Sequence, residues 1–111
     1  PDLVLILGGT NDLPGLEPTG IVSNLLELHA IAQASGALTG VMTVPELRVG
    51  IQRDIDAFLE KRKEVNEALQ QFADKNPETT FFLDVATAFP QDKLNQDFWE
   101  PDGVHFSPAG Y

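Results

Sequence analysis

Residues 3–7, Leu-Val-Leu-Ile-Leu, are apolar without a break. No polar position alternates with them, which predicts a strand buried on both faces, as in a parallel sheet covered by helices. The run stops at Gly8-Gly9, and residues 11–20, rich in Gly and Pro, read as a loop. Ile21, Leu25, Leu28 and Ala32 then recur at helical spacing, with Thr19 as the expected cap and Gly36 as the stop. Residues 38–44 predict a second strand, carrying β-branched Thr39, Val41, Thr43 and Val44 and closed by Pro45. A long helical period covers residues 51–73 through Ile51, Ile55, Phe58, Val65, Leu69 and Phe72. Arg62 interrupts that stripe, and Asn76-Pro77 closes the helix. Residues 80–85 predict a third strand with Asp84 near its end, and residues 86–101 carry no regular period. Ser107-Pro108 offers a capping serine and a proline at the first position of a further helix.

Strands alternating with helices imply an α/β fold with parallel strands and right-handed crossovers. At 111 residues the chain is at most one domain, and 42% hydrophobic residues suffice for a packed core. Three strands are few for such a sheet. The chain begins at Pro1 within an apparent strand and reads as cut, with its missing strands expected before Pro1. A net charge of −10 argues against general binding to nucleic acid or anionic membrane. No apolar stretch reaches the roughly 20 residues of a membrane span. Without cysteine, neither a disulfide framework nor a cysteine-based metal site is available.

Two polar clusters carry candidate chemistry. Asp102 and His105 stand three residues apart in a loop seeded by Pro101 and Gly103. A carboxylate accepting from the imidazole Nδ1 fixes the tautomer and leaves Nε2 free as a base for a serine hydroxyl. Asn11, after the first strand, offers an amide N–H to the oxyanion of a tetrahedral intermediate. Gly8 and Gly9 permit a tight turn and a close backbone approach to substrate. Each cluster also has a plain reading: Asn-Asp is a common turn former, and an Asp-x-x-His pair often only pins a loop. A metal-dependent phosphoesterase is the alternative enzyme, with Asn11, Asp12, Asp102 and His105 as ligands; His29 is badly placed to join them. Asp84 reads as a cap or as polar support, and Asp12 as support for the Asn11 loop. Phe98 and Trp99 read equally as pocket lining or as packing. His29 and the charge run at residues 60–64 read as solvated helix surface.

Gly9-Thr10-Asn11-Asp12 and Asp102-Gly103-Val104-His105 resemble the G-x-N-D and D-x-x-H blocks of the SGNH (GDSL-type) hydrolases. Phe106 to Tyr111 resembles the family's continuation into its last helix, and the likeness covers the whole chain. The resemblance implies a flavodoxin-like, three-layer α/β/α fold with a parallel sheet, here partial over residues 1–111. It implies a serine esterase, lipase or acyl hydrolase without cofactor or metal, acting on a small-molecule, lipid or acylated-carbohydrate ester. His105 would be the general base, Asp102 its orienting partner and Asn11 an oxyanion-hole donor, with Gly9 and Asp12 in support. The family's Gly-Asp-Ser block and its second oxyanion glycine are absent. Ser23, Ser35 and Ser107 occupy no strand-to-helix turn suited to a nucleophile. The expectation is therefore a C-terminal part of such a domain that folds poorly and is inactive alone, with a degenerate SGNH-like binding module as the non-enzymatic alternative.

Overall fold

The computed structural model describes residues 2–9, 13, 15–45, 55–89, 97–101 and 106–110. Its elements run β1 (Leu3–Ile6), α1 (Pro18–Ala34), β2 (Leu38–Met42), α2 (Ile55–Lys75), β3 (Thr80–Leu83) and α3 (Val85–Ala88). The strands form one parallel sheet in the order β1-β2-β3, with Leu3 opposite Leu38 and Thr39 opposite Thr80. Spatial order follows chain order, so both crossovers step in the same direction. Right-handed crossovers of that kind put α1 and α2 on one face. Ile21 and Leu25 of α1, Val65, Leu69 and Ala73 of α2 and Val41 of β2 accordingly share one buried cluster, with Ile6 and Phe82 packed against it. This is the expected parallel α/β class, with the sheet and one helical layer formed by the described residues.

The opposite face of the sheet is open among the described residues. Leu3, Leu5 and Leu7 are exposed together with Leu38 and Phe81, while Val4 and Ile6 turn toward the helices and are half-buried. An unbroken apolar run does not say how many faces are covered; among the described residues helices cover only one. At the centre of the open face, Leu5 and Phe81 lie over Gly40, where an added methyl group would stand 2.5 Å from Leu5 Cδ2. The missing side chain lets its two neighbours form a continuous apolar surface.

The start of α1 also differs from expectation. Glu17 is the N-cap, without a side-chain cap bond, and Pro18 opens the helix, placing Thr19 inside it. Proline suits the first position because its fixed φ is helical and its absent N–H would have had no intrahelical partner. The end is as expected. Gly36, at φ +91°, donates to the Gln33 carbonyl at 2.9 Å while Ala37 donates to the Ala32 carbonyl at 3.4 Å. These paired bonds satisfy the last carbonyls through a left-handed residue.

Along α1 the buried stripe is Ile21, Leu25 and His29, spaced four apart. Leu28 is 51% exposed, and His29, expected in solvent, is 1% exposed. The reason lies on β2: His29 Nδ1 is 2.8 Å from Thr39 Oγ1, which also accepts from Gln33 Nε2 at 2.9 Å. The Phe72 ring of α2 stands 5.3 Å from the imidazole. A β-branched threonine thus presents a hydroxyl to the core, and histidine satisfies it as leucine could not. Burial holds the imidazole below its ordinary pKa of 6.5 and favours the neutral form.

The stripe of α2 is as read from Val65 onward, continuing to Ala73; Ile51 lies outside the described residues. Asn76 ends the helix, its Nδ2 donating to the Phe72 carbonyl at 2.8 Å. β3 stops at Leu83, before Val85, because Asp84 caps α3: its carboxylate accepts from Thr87 N–H at 3.2 Å and from the Thr87 hydroxyl at 2.7 Å. At Ser107-Pro108 the described residues make a single turn, with Gly110 N–H on the Ser107 carbonyl at 2.9 Å and on its hydroxyl at 3.3 Å, the cap expected of Ser107. No described helix is long and apolar enough to cross a membrane.

The buried imidazole sets a pH dependence. With the folded pKa below 6.5, the unfolded chain binds the proton more readily, so stability is complete above that value and declines as pH falls toward the folded pKa. Thermal midpoints measured from about pH 7 down to pH 5 should therefore fall, and His29→Leu should flatten that slope even though it lowers the midpoint at pH 7. A slope unchanged by the substitution contradicts the assignment.

Candidate active site

In a parallel sheet all strands deliver their C-terminal ends to one edge, where ligand-binding loops gather. At the end of β1, Gly9 adopts φ +100°, a left-handed conformation that strains any other residue. A methyl group there would stand 3.3 Å from both Ile21 Cγ2 and Val44 Cγ2, so the turn is pressed against α1 and against the end of β2. The chain re-enters the core at Leu13, which is 1% exposed. Asn11 and Asp12 fall between these anchors and lie outside the described residues, as do Asp102 and His105.

The second cluster is bracketed as tightly. Trp99 and Phe106 form an isolated antiparallel bridge with ring centroids 4.7 Å apart. Ser107 N–H donates to the Phe98 carbonyl at 2.9 Å, and the Ser107 hydroxyl donates to the Asp97 carbonyl. Phe89, just beyond α3, packs on Phe98 at 5.9 Å and on Phe106 at 5.6 Å. Phe98, Trp99 and Phe106 thus pack a neck that rests on Phe89, just past α3. Strands spaced roughly 4.8 Å apart put the ends of β1 and β3 about 10 Å from each other, across β2.

Between them lies a polar network that the sequence pattern concealed. Thr43, just past β2, donates from its hydroxyl to Asp84 Oδ1 at 3.2 Å and accepts from Ala86 N–H at 2.9 Å. Burial pushes the Asp84 carboxyl up, but the Thr87 hydroxyl and N–H, the Thr43 hydroxyl and the Arg62 charge together hold it below the ordinary aspartate value. Asn66 of α2 grips the Val44 backbone with both ends of its amide: Oδ1 accepts from Val44 N–H at 2.7 Å and Nδ2 donates to the Val44 carbonyl at 3.0 Å. Arg62 Nη1 donates to the same carbonyl at 3.4 Å. Lys61 Nζ donates to the Leu13 and Leu16 carbonyls, each at 3.2 Å. The charge run read as solvated surface is thus divided, with Lys61 and Arg62 turned to backbone carbonyls and Glu60, Lys63 and Glu64 left exposed. The usable signal was Asn66, a polar residue set directly beside buried Val65 in an apolar stripe.

A parallel α/β sheet with polar segments past the strand C-terminal ends is the fold class of SGNH-type hydrolase domains, which share it with other open α/β sheets. The model of the GDSL-like Lipase/Acylhydrolase family matches residues 1–111, and the chain belongs to that family. Among solved structures it resembles a GDSL-like lipase from Bacteroides thetaiotaomicron, at 21% identity and a TM-score of 0.81, covering 100% of this chain and 57% of that one. A candidate acylhydrolase from Bacteroides fragilis matches at 22% identity and a TM-score of 0.82, covering 100% and 56%. A candidate SGNH hydrolase from Slackia heliotrinireducens matches at 24% and 0.62, covering 98% and 59%. The chain therefore spans little more than half the length of these structures. No curated protein matches it.

The neck makes a sharp contrast between two glycines. A methyl group at Gly110 would stand 2.1 Å from the Phe98 carbonyl oxygen, whereas Gly20 in α1 has nothing within 4 Å. Gly110→Ala should lower stability by about 1–3 kcal/mol through overpacking against backbone. Gly20→Ala should raise it by roughly 0.5–1 kcal/mol through helix propensity. Chemical denaturation of both variants checks the opposite signs.

Proposed function

We propose that residues 1–111 are part of an SGNH-type domain that hydrolyses carboxylic esters through a serine nucleophile contributed from outside these residues. The observation that supports the reading is the Gly9 turn at the C-terminal end of β1, on the edge of the sheet where Thr43 and Asp84 also meet. The Gly9 turn leaves β1, and the Trp99–Phe106 neck rests on Phe89 beyond β3. Family membership supports the acyl-hydrolase class.

The chemistry assigns a role to each candidate. The serine oxygen attacks the ester carbonyl while His105 Nε2 takes the hydroxyl proton, giving a tetrahedral oxyanion. Asp102 orients the imidazole and stabilises its charged form. Asn11 donates an amide N–H to the oxyanion, with Gly9 and Asp12 supporting the turn that presents it. Collapse breaks the bond to the alcohol oxygen, which leaves with the proton from His105. Water then repeats the sequence on the acyl-serine and releases the acid. The substrate is a small-molecule, lipid or acylated-carbohydrate ester; neither nucleic acid nor a membrane span enters the reading.

Activity on p-nitrophenyl esters, measured in the intact protein, tests this. His105→Ala should lower kcat by about 10⁴-fold and Asn11→Ala by roughly 10²–10³-fold, and a serine-directed phosphonate should inactivate the enzyme. The 111 residues alone should show no turnover. Wild-type turnover in His105→Ala, or inactivation by chelator but not by phosphonate, would sink the proposal.

A further inference from the structure

The stretch of three residues that holds Asn11 is bracketed by Gly9 and Leu13, and both brackets are held from α2. Upstream, the Asn66 amide supplies Val44 with the acceptor and donor that a neighbouring strand would otherwise offer, at 2.7 and 3.0 Å. Val44 lies beyond the last residue of β2, so this clamp prolongs the ordered backbone past the sheet. The Val44 side chain is fully buried and is one of the two surfaces against which Gly9 turns. Downstream, Leu13 is seated in the core, and the Lys61 ammonium binds its carbonyl and that of Leu16 at 3.2 Å each. Covalent geometry ties a residue two positions from a fixed Cα to within about 7 Å of it, so anchors on both sides narrow its range sharply.

We propose that α2 is the brace of the Asn11 turn, and that Asn66 and Lys61 are positioning residues for its amide donor. The proposal rests on the reading of Asn11 as an oxyanion-hole donor. Neither side chain need touch substrate. Asn66 acts through Val44 and Gly9, and Lys61 acts through the Leu13 and Leu16 carbonyls. A donor aimed at charge that develops only in the transition state affects kcat and leaves ground-state binding nearly unchanged, so loosening the brace should appear in kcat.

The test is a set of variants in the intact hydrolase, each assayed for kcat, KM and thermal midpoint. Asn66→Ala should lower kcat by about tenfold or more with KM within about twofold, because a small misplacement of a catalytic group is costly. Lys61→Met, which keeps the stem and deletes the ammonium, should do the same to a smaller degree. In an Asn11→Ala background both effects should largely vanish, since the group they position is gone. Asn76→Ala deletes an amide bond to the Phe72 carbonyl at the far end of α2 and should lower the midpoint without changing kcat. If Asn66→Ala does not fold, Asn66→Asp is read in its place; it keeps the acceptor for Val44 N–H and loses the donor. A wild-type kcat in a folded Asn66 variant, or losses that multiply with Asn11→Ala, overturns the brace while leaving the oxyanion reading intact. A wild-type kcat in Asn11→Ala overturns the oxyanion reading, and the brace with it.

Discussion

Two right-handed crossovers stepping the same way along the sheet are the constraint on which the other features depend. They bring α1 and α2 side by side over a single face, where Ile21, Leu25, Val41, Val65 and Leu69 form one cluster. Full burial of such a side chain is worth about 1.5–3 kcal/mol, so a handful of them is a large share of the stability of a domain this small. The same geometry sets α2 against β2 and β3, and its polar residues reach the Val44 backbone past β2 and the Leu13 and Leu16 carbonyls. The core and the candidate active site are consequences of one packing arrangement.

That arrangement distributes polar groups unevenly. At the N-terminal side of the sheet, Thr39 and Thr80 face the helices and are satisfied by His29, Gln33 and the Ala73 and Asn76 carbonyls. At the C-terminal side, Thr43, Asp84, Asn66 and Arg62 bond to backbone and to one another around a cleft of about 230 Å³. Arg62 Nε is buried and has no hydrogen-bond partner among the described residues. The first group locks helix to strand. The second holds segments past the strand ends, where regular ladder bonds have run out and side chains must supply them.

Much of the fold was legible because strand and helix periods differ. The order of elements, the parallel class, the Gly36 stop and the Asn76 closure all followed from spacing and from the special backbone of glycine and proline. What stayed hidden depended on partners distant in sequence. Leu28 and His29 are adjacent, and only the Thr39 hydroxyl across the layer decides that histidine turns inward and leucine outward. The leucines of residues 3–7 show only that the strand is apolar on both sides; among the described residues one side is covered. Within the site, Asn11, Asp102 and His105 were legible as motifs, yet their supports were not. Arg62 and Asn66 stood out only as polar breaks in or beside an apolar stripe and Lys61 as part of a charge run, and their partners, the Leu13 and Val44 carbonyls, lie far off in sequence.

The Trp99–Phe106 bridge separates the geometry of a loop from the geometry of the sheet. Because Trp99 and Phe106 are paired, the two ends of the segment between them are held together whatever its length. Doubling such a loop costs about 0.6 kcal/mol in closure entropy, far less than rebuilding a strand pairing. The fold is in that sense modular at this corner. The aromatic staple holds the base of that segment in one place.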